Sequence, residues 1–134
     1  MSLLFGLIKV CSMKYQGGCH CGAVKFEFEA EEPLQCIECN CSVCTKTGYL
    51  HHVLPQAQLK VESGWDSLTT YTFNTGVAKH YFCRVCGIKP FYVPRSHPDC
   101  YSVNIRCLEP VPKNIRVTPF DGQNWEDNIH QIAG

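Results

Sequence analysis

The spacing of the cysteines constrains the fold of this chain more than any other feature of its sequence. Eleven of the 134 residues are cysteine, and four of them form two short pairs, Cys-His-Cys at 19–21 and Cys-Arg-Val-Cys at 83–86, each followed by glycine. A structural zinc site takes four ligands at tetrahedral corners, and two short pairs on separate turns can supply them. We therefore predict one closed zinc site, with disulfides or plain buried thiols as the alternative. Its four predicted ligands are Cys19, Cys21, Cys83 and Cys86.

A third group, formed by Cys39, Cys41 and Cys44, places three cysteines within six residues. Their sulfurs can converge on one ion, and nothing equally close in the sequence offers a fourth ligand. A catalytic zinc site has three protein ligands and one open position for water or a substrate atom. The triplet therefore predicts a second, open zinc site in which these three cysteines are catalytic. The alternative is a structural site that is closed after folding by one of four residues, Cys36, Cys107, His51 or His52.

The four remaining cysteines are predicted to pack as small hydrophobic residues. They are Cys11, Cys36, Cys100 and Cys107. The six histidines are scattered and show no metal-ligand spacing, so most are predicted to lie on the surface or to be hydrogen-bonded.

Cysteine use also indicates the compartment. A secreted disulfide scaffold is disfavoured, because the number of cysteines is odd and they are grouped at metal-ligand spacings. The apolar run at 3–8 is short and lacks the charged start and cleavage site of a signal peptide. No segment approaches the ~20 apolar residues of a membrane span. We expect an intracellular protein with reduced thiols in the cytoplasm, with the nucleus as the alternative.

The charge balance bears on partners. The chain carries 12 basic and 12 acidic side chains and has a formal net charge of zero, without a basic run. Nucleic acids and anionic membranes are bound through clustered positive charge. We therefore predict neither a nucleic-acid nor a membrane partner.

Short strands dominate the rest of the pattern. Apolar and charged residues alternate over 23–29, the period of a half-buried strand. Further strands are predicted at 49–54, 59–62, 68–73, 80–83, 90–93, 101–105 and 116–118. One helical turn is predicted at 42–46 and a short C-terminal helix at 124–131. Many short strands with regular breaks predict an all-β fold.

The length of the chain suits one domain. Residues 1–13 are predicted to be a leader of unknown role, because the strand pattern starts after them. The zinc-binding domain is then predicted to span 14–134.

Three segments contain all of the grouped cysteines, namely GGCHCGAV at 17–24, CNCSVC at 39–44 and FCRVCG at 82–87. Together they are similar to the glutathione-dependent formaldehyde-activating enzyme family. Three further segments resemble the branch of that family that contains centromere protein V, namely TYTFNT at 70–75, FYVPRS at 91–96 and FDG at 120–122. The resemblance covers about 17–129 and includes all seven grouped cysteines.

The resemblance implies a β-tent fold of short antiparallel strands and two zinc ions per chain, one on the two pairs and one on the triplet. It implies formation of S-hydroxymethylglutathione from glutathione and formaldehyde, which is a carbon–sulfur lyase reaction in reverse. A small thiol such as glutathione and a small aldehyde are then the partners. The alternative is a non-catalytic, zinc-stabilised module that binds a protein partner.

The chemistry of three thiolates favours the same reaction class. With zinc they form a site of net charge −1, which activates water poorly but suits a thiol that adds to a carbonyl carbon. Arg95 is predicted to bind a carboxylate of the anionic substrate. Its alternative role is a salt bridge beneath the turn at 94–98.

Overall fold

The computed structural model describes residues 12–131. Residues 1–11 of the predicted leader, with Cys11, lie outside the described residues. Ser12 and Met13 begin the first strand and pair with Glu31 and Ala30. The division of the chain at residue 13 stays a prediction.

Residues 12–131 form two sheets and two very short α-helices. The three-stranded sheet has the order β1-β2-β5, with β1 at Ser12–Gly18, β2 at Lys25–Glu31 and β5 at Lys60–Ser63. The seven-stranded sheet has the order β10-β3-β4-β9-β8-β7-β6. Its strands are β3 Leu34–Cys39, β4 His51–Pro55, β6 Leu68–Tyr71, β7 Lys79–Cys83, β8 Phe91–Val93, β9 Cys100–Asn104 and β10 Ile115–Phe120. The helices are α1 Ser42–Thr47 and α2 Trp125–Asn128.

These elements confirm the predicted all-β class with a short C-terminal helix. Every strand predicted from the sequence is present with shifted ends, whereas β1 and β3 were missed. The predicted helix at 124–131 contains only one α-helical turn, continued by a 3-10 turn at Ile129–Gln131. Among the described residues, no helix has the length and apolar character that a bilayer span requires.

The prediction that the strands are antiparallel is wrong for one pair. Strand β10 runs parallel to β3, from Ile115 opposite Leu34 to Phe120 opposite Cys39. Parallel neighbours need a long connection, and here the chain passes through six other strands between them. Both strands therefore end at the same edge of the sheet, where the cysteine triplet begins. The tent geometry itself stays a prediction.

The core lies between the two sheets. Phe26 of β2 and Phe91 of β8 are fully buried, and their ring centroids lie 6.1 Å apart in an edge-to-face contact. Cys36 and Cys107 belong to the same core. Their prediction as packing residues is thereby confirmed.

Candidate metal centres

The two cysteine pairs meet in one cluster. The four Sγ atoms of Cys19, Cys21, Cys83 and Cys86 all lie within 4.8 Å of one another. Cys21 Sγ lies 3.6 Å from both Cys19 Sγ and Cys83 Sγ, close to the ~3.8 Å expected between thiolates on one tetrahedral zinc. These distances far exceed a disulfide bond of ~2.05 Å, and the four cysteines are free. The cluster can hold a metal ion.

Backbone conformation directs amide groups toward these sulfurs. The Val24 N–H donates to Cys19 Sγ at 3.3 Å, and the Val85 N–H donates to Cys83 Sγ at 3.4 Å. The glycine after each pair has a positive φ of 85° at Gly22 and 79° at Gly87, a conformation that side chains disfavour. Because the first pair follows β1 and the second begins at the end of β7, the cluster joins the two sheets.

The triplet forms the second cluster. The Sγ atoms of Cys39, Cys41 and Cys44 lie within 4.8 Å of one another. Cys39 ends β3, Cys41 is the N-cap of α1, and Cys44 lies in its first turn. Hydrogen bonds with Cys39 and Cys44 lower the pKa of Cys41. Hydrogen bonds with Cys39 and Cys41, together with burial, raise the pKa of Cys44. Three such thiols ionise together only beside a cation, so the cluster fits a metal ion.

No fourth donor among residues 12–131 joins this group. Cys36 and Cys107 point their thiols at backbone carbonyls of Leu34 and Lys89, and His52 Nδ1 lies 2.8 Å from the Gln35 carbonyl. Three of the four residues considered for closing the site are therefore engaged elsewhere.

His51 comes closest to completing the triplet. Its Nε2 lies 3.1 Å from Cys44 Sγ, and its Nδ1 lies 2.8 Å from the Ser102 hydroxyl. Burial lowers the pKa of His51 to about 3, so the ring is neutral at pH 7. It is nevertheless outside the group of donor atoms that lie within 4.8 Å of one another, which among the described residues contains only the three cysteine sulfurs. His51 therefore contacts Cys44 without joining the cluster.

A cavity of about 710 Å³ opens over the triplet. All three cysteines line it, together with His51, His80, Tyr92, Arg95 and Trp125. The structure therefore brings the predicted residue Arg95 to the same cavity as the triplet.

Arg95 contacts an aromatic ring and a carboxylate, and both of its predicted roles stay predictions. Its guanidinium stacks 3.8 Å from the ring centroid of Trp125 and lies 3.9 Å from the exposed carboxylate of Glu126. An ion pair of that length with an exposed partner contributes little. The stacking holds the guanidinium in the cavity wall and leaves its donors available.

Sequence reasoning missed a buried histidine–lysine pair. Lys89 Nζ lies 2.7 Å from His80 Nδ1, and both side chains are about 95% buried. Burial lowers the pKa of Lys89 to about 8, and burial together with the Lys89 charge lowers the pKa of His80 to about 4. At pH 7 the pair is therefore an ammonium beside a neutral imidazole. The available signal was a lone lysine within the otherwise apolar segment 88–93.

Gly122 is a second residue whose role the sequence did not reveal. A Cβ built at this position would overlap Cys39 Sγ and would lie 3.1 Å from Cys41 Cβ. The segment is tied to the triplet, because the Asn40 amide donates to Asp121 Oδ1 and the Gln123 N–H donates to Asn40 Oδ1. Any side chain at Gly122 must therefore displace the triplet.

We expect Gly122→Ala to lower metal occupancy at the triplet while the fold is kept. The added methyl group pushes against Cys39 Sγ, whereas the first cluster lies elsewhere in the fold. Metal analysis and circular dichroism measure the two effects, with Gln123→Ala as the control because its side chain is exposed in the same segment. Full metal content in Gly122→Ala would contradict this packing.

Comparisons with known proteins agree on one family. The family described as glutathione-dependent formaldehyde-activating enzyme matches residues 14–125. A Halomonas elongata protein named "Putative glutathione-dependent formaldehyde-activating enzyme" is 32% identical over 126 residues, covering 84% of this chain and 80% of the relative. A crystal structure of a Rhodobacter sphaeroides protein is similar with a TM-score of 0.68 at 38% identity, covering 77% of this chain and 99% of that one. The chain belongs to the glutathione-dependent formaldehyde-activating enzyme family.

Proposed function

We propose that this protein is a zinc-dependent enzyme of the carbon–sulfur lyase type. Its reaction is the formation of S-hydroxymethylglutathione from glutathione and formaldehyde, or the same addition to a related small aldehyde. One observation carries the proposal: Cys39, Cys41 and Cys44 bring three sulfurs together at a cavity without a fourth protein donor among the described residues. Membership of the family supports the same substrates.

Both cysteine clusters are proposed to hold zinc, giving two ions per chain. Sets of three or four thiolates are typical zinc ligands. Magnesium, calcium and manganese instead prefer carboxylate and carbonyl oxygens. The four-cysteine cluster has a complete ligand set and is proposed to be structural. At the triplet, a zinc ion would supply positive charge that favours the thiolate form of a small thiol.

The addition requires one new bond and one relocated proton. The glutathione sulfur bonds to the aldehyde carbon, the carbonyl electron pair moves to oxygen, and the proton lost by the thiol ends on that oxygen. Because the three protein thiolates already carry negative charge, the triplet is better suited to thiol addition than to hydrolysis.

The cavity suits glutathione in size, and Arg95 supplies a cation in its wall. Its volume of about 710 Å³ falls within the ~300–1,000 Å³ of ligand pockets. Arg95, stacked on Trp125, is proposed to bind a glutathione carboxylate through two parallel hydrogen bonds. It would thereby place the thiol near the triplet.

The test is exchange NMR on a mixture of glutathione and formaldehyde. Zinc-loaded protein is expected to speed the approach to the S-hydroxymethylglutathione equilibrium without shifting it. Cys41→Ser and an equal concentration of free zinc are the controls, because the uncatalysed reaction already proceeds.

Equal rates with the wild-type protein, with Cys41→Ser and with free zinc, together with no binding of glutathione, would refute the lyase function. The remaining candidate would then be the non-catalytic module with a protein partner. Placement in the cytoplasm stays a prediction.

A further inference from the structure

His80 lines the cavity of the triplet and has one ring nitrogen without a hydrogen-bond partner among the described residues. Among residues 12–131, His80 Nε2 is the buried side-chain nitrogen or oxygen that lacks a hydrogen-bond partner. The side chain is only 5% exposed and lines the cavity together with Cys41 and Cys44. Buried polar groups are nearly always hydrogen-bonded, so this atom needs a partner that the described chain does not provide.

Lys89 determines which ring nitrogen of His80 carries the proton. Its ammonium group can only donate, and it lies 2.7 Å from His80 Nδ1. Nδ1 must therefore accept, which leaves the proton of the neutral ring on Nε2. The unpartnered atom is consequently an N–H donor.

The position of Lys89 is itself fixed by aromatic rings. Its Nζ lies 3.9 Å from the ring centroid of Tyr92 and 4.7 Å from that of Tyr49. No carboxylate among the described residues forms an ion pair with it. Cation–π contacts therefore hold the ammonium where it meets His80.

Aromatic stacking also fixes the plane of the imidazole. The ring of His80 lies between Tyr92, 4.8 Å away at 11°, and Phe73, 5.3 Å away at 21°. The two stacks hold the plane of the ring, and the contact between Lys89 Nζ and His80 Nδ1 opposes the flip within that plane that would move Nε2. The donor is thus preorganised.

We propose that the Nε2–H of His80 donates a hydrogen bond to the oxygen of the aldehyde and of the hydroxymethyl adduct, with Lys89 as a positioning residue. This inference rests on the proposed function. As the thiol sulfur bonds to carbon and the carbonyl pair moves to oxygen, negative charge develops at that oxygen. A preorganised donor stabilises such charge more than it stabilises the neutral carbonyl. His80 keeps its proton, and the proton released by the thiol neutralises the oxygen.

The first test measures the donor directly, by NMR of zinc-loaded protein labelled with nitrogen-15 in histidine. Two ligands are compared: the adduct formed from glutathione and formaldehyde, and S-ethylglutathione, in which a methyl group replaces the hydroxyl. We expect the His80 Nε2–H signal to move downfield with the adduct and not with S-ethylglutathione. Assignment comes from the loss of the signal in His80→Gln.

The outcomes separate this inference from the function on which it rests. If both ligands bind and the His80 signal responds alike to each, the inference about His80 is wrong and the lyase function stands. If neither ligand binds and the protein does not speed the reaction, both are wrong. In Lys89→Met, the free protein is expected to show a mixture of His80 tautomers; an unchanged Nε2–H tautomer contradicts the positioning role.

The second test uses rates. His80→Phe keeps an aromatic ring between Phe73 and Tyr92 but removes the donor, and we expect about a 100-fold loss of the catalysed rate with unchanged glutathione affinity. His80→Gln restores an N–H donor and should recover part of that loss. A wild-type rate in His80→Phe overturns the proposal. If His80→Phe does not fold, the comparison of His80→Gln with wild type and the NMR experiment decide.

Discussion

Replacing Cys83 with serine is expected to abolish folding. Cys83 is fully buried at the end of β7, and its sulfur belongs to the cluster that joins the two sheets. Metal binding at a closed thiolate site contributes on the order of 10 kcal/mol to folding, whereas a whole domain is stable by only about 5–15 kcal/mol. Circular dichroism and thermal unfolding measure the loss, and removal of metal by a strong chelator should unfold the wild type in the same way.

Cys100→Ser is the matched control for this substitution. It makes the same chemical change at a half-buried cysteine that belongs to neither cluster, so it should leave metal content and folding nearly unchanged. A Cys83→Ser protein that is metal-free, soluble and cooperatively folded would show that the four-cysteine cluster does not stabilise the fold.

Cys41→Ser is expected to have the opposite profile, with the fold kept and one metal ion lost. Cys41 is half-buried and lies at the N-cap of α1, where its side chain makes no capping hydrogen bond. Serine is a preferred N-cap residue, so the helix should still begin there. The lost thiolate leaves only two sulfurs at the second cluster, too few for a stable zinc site.

Metal analysis, circular dichroism and the exchange experiment together read out this variant. Retained secondary structure with one zinc per chain and no acceleration of the reaction is the expected combination. If Cys41→Ser unfolds as completely as Cys83→Ser, the division into a structural and an open site is wrong.

The two clusters could be predicted because their information is local. Within each group, the spacing alone forces the sulfurs onto one turn, and the glycines at 22 and 87 indicate the turn conformation. Each of the two cysteine pairs, at 19–21 and 83–86, supplies only two of the four ligands of a closed zinc site. The two pairs could therefore be assigned to the same site. The strands could also be predicted from the sequence wherever apolar and polar residues alternate.

What could not be predicted depends on contacts between distant segments. The parallel pairing of β10 with β3 follows from the order of six intervening strands, which no local pattern encodes. Gly122 and Asp121 meet the triplet only because of that pairing. His80 lies on β7 and Lys89 lies nine residues later in the loop before β8, so their hydrogen bond has no spacing signature.

The central claim is that the triplet holds one metal ion whose fourth position is open to an external thiol. The most direct test is NMR of the protein loaded with cadmium-113, which binds thiolates as zinc does. The account predicts two signals, one of which is missing from Cys41→Ser, and it predicts that glutathione shifts that same signal and leaves the other unchanged. A triplet signal that does not respond to glutathione, or two signals retained in Cys41→Ser, would contradict it.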